Sequence, residues 1–475
     1  MRRECVLAVQ IGRIARHTRS ALSIGYALHW TSPRLFNLNA PQVDVTFFSF
    51  YNCQQLSNIP KTILTSFFVC LPKILFMKDF TSLPLFKKSI HTGLNNVICK
   101  FRNYNSLATD KVLVVSKLSR FEFEKKKAKN LTEKQLVESL KQRGTDVEKL
   151  VRHHDLHKKF EENVVNTFKN MGISVKVVNR YQYTEDDIED ADVVIPIGGD
   201  GTFLLAASMI FDNKKPVVGL NSDPNRSEGY LCLPKKYSTN IRNAVERLNS
   251  GNFKWLMRSR IRTTLLVCDE KKITGRYLHD NESDQFRRQK DSIVTGETTK
   301  VLPCLALNEV FMGETLSARV SHLQLRLNGS TENTNLKCSG ICISTGTGST
   351  SWHMSINRLP VQNVAELLRL LDIDPTEGKD SLATVLADIY NKNLVFNSDD
   401  KRMAYTIREL ISAAVWPDPK GIKPRGFAKK IEIKSNCFDA SLVIDGGVSY
   451  QFNDGTTALL EIMPEDALRT VIIND

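Results

Sequence analysis

Between residues 110 and 250, short apolar runs alternate with charged stretches of helical period. "KVLVVS" (111–116), "ISVKVVNR" (173–180), "ADVVIPIG" (191–198) and "PVVGLNSD" (216–223) are brief, apolar and β-branched, as buried strands are. Between the first two, "TEKQLVESLKQRG" (132–144) and "HKKFEENVVNTFKNMG" (157–172) carry apolar residues at helical spacing. Gly144 and Gly172 stand where a left-handed residue closes a helix. Strands separated by helices pair parallel through crossovers. Residues 110–250 are therefore predicted to form an α/β domain with an open, mainly parallel sheet.

The pattern then changes. "IRTTLLVC" (261–268), "LALNEVFMG" (305–313), "HLQLRLNG" (322–329), "GICIST" (340–345), "KKIEIKS" (429–435), "ASLVIDG" (440–446) and "VSYQF" (448–452) read as strands, which predicts an all-β domain over 251–455. The polar, charge-mixed stretch 269–300 reads as a mobile loop. Helical spacing returns across 361–415, in Val364, Leu367, Leu368 and Leu371, then in "SLATVLADIY" and "TIRELISAAV", and predicts a helical insertion. Residues 456–475 are expected to return towards the first domain.

Charge changes the picture at the N-terminus. The 475 residues carry a net +13, but residues 1–109 hold thirteen Lys/Arg against three acids, so the leader accounts for +10 of it. No nucleic-acid surface is needed to explain the balance. An Arg-rich, acid-poor N-terminus fits a mitochondrial targeting leader and predicts a matrix location. "ILTSFFVCLPKILFM" (63–77) is the most apolar run there, yet Pro72 and Lys73 interrupt it and it falls short of the ~20 residues that cross a bilayer. No membrane span is expected. The ten cysteines show no disulfide or zinc spacing.

Candidate chemistry lies in three places. "IGGDGT" puts Gly198, Gly199, Asp200, Gly201 and Thr202 between a buried strand and a helix, with Thr202 as the expected cap. Glycines there let phosphate oxygens approach backbone amides. Phosphate loops usually carry a lysine; this one carries Asp200, which suits accepting a proton from an attacking hydroxyl. A plain tight turn with Asp200 as helix cap is the other reading. "LNEV" sets Asn308 beside Glu309. Strand neighbours face opposite ways, so both meet one ligand only at a strand end or bend. There Asn offers donor and acceptor to an adenine or amide edge, and Glu accepts ribose hydroxyls. "STGTGSTSWHMS" (344–355) leaves a strand as a run of small residues ending at Trp352, which suits a flat ligand held against backbone and hydroxyls.

In this order and spacing, the three motifs resemble those of the NAD kinase family, over 110–475, and its animal mitochondrial branch in particular. The resemblance implies a cleft between an α/β and an all-β domain, and transfer of the γ-phosphate of ATP, with Mg2+ or another divalent cation, to the 2′-hydroxyl of the adenosine ribose of NAD. It implies Asp200 as general base and Asn308 and Glu309 as the dinucleotide-binding pair. It implies Thr347, Thr350, Ser351, Trp352 and Ser355 as the substrate loop, and a homodimer; the apolar faces of 361–415 place the insertion at or near that contact, or else folded back on its own domain. The chain departs from the family pattern at Ser339, Gly346, Ser351, Trp352 and Arg226; Ser339, where an acid is usual, weakens the nicotinamide side. Lipid kinases of the diacylglycerol or sphingosine type share the glycine-aspartate loop but usually lack the other two motifs. Phosphofructokinase would need a second α/β half. A non-catalytic dinucleotide sensor would keep the loops without needing Asp200.

Overall fold

The computed structural model describes residues 107, 109–128, 130–266, 275–278, 299–373, 381–411 and 423–473. The expected leader, but for Leu107 and Thr109, and most of the 269–300 stretch lie outside the described residues. The described ends of that stretch are strands, Arg276–Tyr277 and Thr299–Val301.

The first sheet runs in the order Ser174–Val178, Lys111–Ser116, Val193–Gly198, Pro216–Val217, Leu468–Ile472, Lys254–Arg258, with Leu220–Asn221 also paired to Val193–Gly198. Its central strands pair parallel, Val112 standing opposite both Val175 and Val193. Every residue of Val193–Gly198 is buried, which is why that strand reads as one apolar run. Two expectations are corrected here. Lys254–Arg258, expected in the β-rich domain, pairs antiparallel with Leu468–Ile472 in this sheet. The run 216–223 breaks into two short strands at Gly219, where a Cβ would lie 2.7 Å from the Phe203 ring.

The helix expected from 157 is longer, Val147–Asn170, because the Asp146 carboxylate caps it by accepting from the Lys149 amide. Gly144 and Gly172 hold φ of +76° and +78° just past two helices.

Two antiparallel sheets form the β-rich part. One runs Arg425–Ala428, Met403–Ile407, Ile341–Ser344, Glu309–Glu314, Ala440–Ile444, Val448–Gln451, Arg276–Tyr277; the other runs Thr334–Cys338, Ser321–Leu327, Lys430–Ser435, Thr457–Ile462, Ile261–Leu266, Thr299–Val301. Alternate residues of both, among them Val310, Met312, Leu325, Ile431, Leu442 and Leu460, share one core. Thr457–Ile462 thus stays with the β sheets, and only the strand after it returns to the first sheet.

The insertion is only partly helical. Val361–Leu370 and Leu382–Lys392 pack on each other through Val364, Leu368, Ala383 and Ala387. "TIRELISAAV" is not a helix at its described end: Thr406 and Ile407 belong to the buried strand Met403–Ile407. A strand buried on both faces has no two-residue alternation to separate it from a helical run. Among the described residues, no helix is long and apolar enough to cross a membrane.

Candidate active site

Strand Val193–Gly198 ends at the glycine loop, and helix Asp200–Ser208 starts at the aspartate itself. Gly199 is the cap residue and gives no side-chain cap. Thr202, expected as the cap, lies inside the first turn and is buried. The Asp200 carboxylate turns away from its own helix. Its Oδ1 accepts from the Leu231 amide at 2.9 Å and its Oδ2 from the Tyr230 amide at 3.2 Å. The helix-cap reading of this residue therefore fails.

The three glycines have different reasons. A Cβ on Gly198 would sit 2.3 Å from Thr202 Oγ1, so packing alone demands glycine there. A Cβ on Gly199 would meet only Ser227 Oγ, at 3.4 Å, and one on Gly201 nothing within 4 Å. Both face open space: a cavity of about 580 Å³ whose walls include Asp200, Asn221, Asp223 and Ser227, the cations Lys117, Arg180 and Arg226, and, from the β-rich part, Tyr277, Asp445 and Val448. Lys117 enters beside the loop because its amide donates to the Ile197 carbonyl, at 2.9 Å. The cation missing from the loop is supplied by the neighbouring strand.

Behind Asp200 stands Arg258. Its Nη1 donates to Thr347 Oγ1 at 3.3 Å and to Ser398 Oγ at 3.0 Å, while Nε is buried with no partner among the described residues. Burial pushes its pKa down to about 10 against the pull of Asp200, so it is charged at neutral pH. Arg258 thereby links the surroundings of Asp200 to a hydroxyl of the small-residue loop, that of Thr347.

Asn308 and Glu309 stand at a strand end, the place where adjacent side chains can share a ligand: Glu309 is the first residue of Glu309–Glu314. Both are buried, and Asn308 Oδ1 and Glu309 Oε2 have no partner among the described residues. Burial, and then the charge of Asp445, push the Glu309 pKa up to about 8. At neutral pH it is a neutral carboxyl that both donates and accepts, rather than the pure acceptor expected from sequence.

The small-residue loop closes over this pair. A Cβ on Gly348 would lie 2.2 Å from the Asn308 carbonyl and one on Gly346 1.8 Å from the Asn397 carbonyl, so both glycines are set by backbone approach. Thr347 and Thr350 lie in the single turn Thr347–Thr350, and Ser351 leads into helix Trp352–Asn357. The Trp352 ring packs on Phe311 at 4.7 Å, with Arg408 5.7 Å over the indole. Trp352 and Ser355 line a second cavity, of about 770 Å³, with Tyr390, Arg408, Lys423 and Arg425. The sequence motifs thus divide between two cavities, with the Asn-Glu pair, Thr347, Thr350 and Ser351 belonging to neither wall. Asp445 was missed by sequence reasoning. Its signal was the Asp-Gly turn in "VIDGGVS", read only as the end of a strand.

Among the described residues there is no cluster of three or more His, Cys, Asp or Glu side chains fit to hold a metal. Mg2+ does not require one, since it is commonly held by one or two carboxylates plus substrate phosphates. Asp200 and Asp223 are the carboxylates of the glycine-loop cavity other than Asp445.

A family model described as the ATP-NAD kinase N-terminal domain matches residues 97–253. The chain is 36% identical over 391 residues to "NAD kinase 2, mitochondrial" of Homo sapiens, covering 79% of this chain and 87% of that one. It is 34% identical over 395 residues to the protein of the same name from Xenopus tropicalis, covering 77% and 91%. An NAD kinase from Archaeoglobus fulgidus, solved in complex with ATP, aligns with a TM-score of 0.42 at 14% identity, over 77% of this chain and 93% of that one. With 36% identity over an alignment that covers most of both proteins, the chain belongs to the NAD kinase family.

Proposed function

We propose that this protein transfers the γ-phosphate of ATP to the 2′-hydroxyl of the adenosine ribose of NAD, making NADP in the mitochondrial matrix. The observation that carries the reading is Asp200: a carboxylate held by two amides, facing a cavity with two open glycine positions and three cations. The open glycines leave room for phosphate oxygens beside a helix N-terminus. Lys117, Arg180 and Arg226 balance the triphosphate charge. Asp200 accepts the proton of the ribose hydroxyl as that oxygen attacks phosphorus. Mg2+ carried on the ATP phosphates would meet Asp200 or Asp223 and neutralise charge there. Asn308 and Glu309 hold the dinucleotide, Thr347, Thr350, Ser351 and Ser355 line its path, and Trp352 gives it an apolar wall. A lipid substrate fits the pair poorly, because its two unpartnered buried oxygens call for a polar ligand.

Purified protein, ATP and Mg2+ should convert NAD to NADP and leave diacylglycerol and sphingosine untouched. Lipid phosphorylation in place of NADP would overturn the reading, and NAD binding without turnover would make the protein a sensor. Glu309→Ala should raise KM for NAD about two- to tenfold, the cost of losing ~0.5–1.5 kcal/mol of hydrogen bonding from a neutral carboxyl, with less effect on ATP. Because the neutral Glu309 carboxyl must give up its proton near pH 8, KM for NAD should also rise as pH passes 8. Glu309→Gln should flatten that rise; an unchanged profile would detach it from Glu309.

The assembly proposed is a homodimer. Beyond their shared seam, the insertion helices expose Leu367 at 55%, Leu370 at 74% and Leu371 at 69%. Apolar faces of this kind are seldom left open on a monomer. Light scattering should give twice the chain mass, and Leu367→Lys with Leu371→Lys should weaken the dimer; an unchanged dimer would place the contact elsewhere. A reporter fused after residue 109 should enter mitochondria, and a cytosolic reporter would remove the targeting claim alone.

A further inference from the structure

The Asn-Glu pair is not held by its own strand. It is held by a turn far away in the chain. Asp445 and Gly446 carry φ of +48° and +62°, the two left-handed residues of a tight hairpin turn between Ala440–Ile444 and Val448–Gln451. The turn is closed by the Gly447 amide donating to the Ile444 carbonyl at 2.9 Å. Its aspartate reaches the start of the neighbouring strand. Oδ2 accepts from the Leu307 amide at 2.8 Å, and Oδ1 from the Asn308 and Glu309 amides at 2.7 and 3.0 Å. The Asp445 amide in turn donates to the Glu309 carbonyl at 3.0 Å.

A hairpin turn does not need this. Asn or Gly serves equally well at such a position. Three successive amides on one carboxylate go beyond turn chemistry, and two of them belong to the residues whose side chains carry buried oxygens without a partner among the described residues. We propose that Asp445 is the positioning residue of the Asn308–Glu309 pair: its carboxylate fixes the backbone from which both side chains reach the dinucleotide.

The surrounding charges agree. Asp445 acts on Glu309 from the turn, and Cys342 lies near Glu309 on strand Ile341–Ser344, its thiol pushed up by burial and then by Glu309. Arg260 pulls the other way on Asp445, as do the three amides; desolvation still raises that carboxyl to about 6, leaving it ionised at neutral pH. Two carboxyls so placed resist ionising together. The ionised one is the one with three donors, and the neutral one is Glu309.

The test uses the full chain with Asp445→Asn, which suits the turn but lacks the charge and one acceptor, and Asp445→Gly, which suits the turn and has neither oxygen. Amide hydrogen exchange of Leu307, Asn308 and Glu309 in the free protein should speed up in both. KM for NAD should rise about tenfold or more, as for losing hydrogen bonds to a charged group, and by more than KM for ATP, whose phosphates Asp445 faces only from the far wall of the glycine-loop cavity. In Asp445→Asn, the pH at which KM for NAD rises should move down, because Glu309 no longer faces a charge. Unchanged exchange with unchanged KM for NAD would overturn the proposal. Equal loss of both substrates with no shift in the pH profile would also overturn it, by reducing Asp445 to a folding role. The kinetic arm rests on the kinase reading and the exchange arm does not. Wild-type protein without kinase activity would therefore sink that reading and leave exchange to decide this one.

Discussion

Asp200→Asn is expected to lower kcat by ~10²–10⁴ while NAD affinity stays within several-fold. A ribose hydroxyl is a poor nucleophile, and a carboxylate placed to take its proton contributes a factor of that size. Asparagine keeps the shape and loses the basicity. The structure adds a qualification in the form of a control. Asp200 also accepts from the Tyr230 and Leu231 amides, so the asparagine NH2 must face one N–H donor. That costs about 1–3 kcal/mol if the amide stays buried. Melting temperature and NAD binding should therefore be measured beside kcat. A folded variant that binds NAD and has lost turnover supports the general base. A kcat near wild type would end that role, and a parallel loss of NAD binding would assign Asp200 to scaffolding.

Arg260→Met is expected to give the largest loss of stability. Arg260 is fully buried. It donates through Nε to the Asp466 carbonyl at 2.5 Å, through Nη1 to the Ala207 and Ile210 carbonyls, and through Nη2 to the Asp212 carbonyl at 3.2 Å. It thus ties the end of the helix that begins at Asp200 to the segment that carries the chain back from the β sheets. Burial pushes its pKa down to about 10, so the guanidinium remains charged at neutral pH. Methionine would fill part of the volume and leave those carbonyls without a donor. Removing one side of a buried charged network costs about 3–5 kcal/mol, which corresponds to a fall on the order of 10 °C in melting temperature. A thermal melt decides it: a shift under about 2 °C would mean that water or repacking replaces the guanidinium.

What local sequence determined is what short-range chemistry determines. The apolar run ending at Gly198 needed only its own residues to be a buried strand, and glycines on either side of Asp200 needed only the strand-to-helix turn. Asn308 beside Glu309 was legible as a strand-end pair, since only there can adjacent side chains share one ligand. Helix closure at Gly144 and Gly172 was legible for the same reason.

Tertiary structure decided the rest, where distant segments meet. Met403–Ile407 became a strand because distant strands pair with it on both edges, and every one of its residues is buried, which erases the alternation that marks a strand. Lys254–Arg258 joined the first sheet because its partner arrives only at Leu468–Ile472. Lys117 reached the glycine loop across neighbouring strands, and Trp352 parted from Asp200 into another cavity. The Glu309 pKa was raised first by burial and then by a carboxylate 136 residues further along the chain, since desolvation and charge act through space and not along sequence.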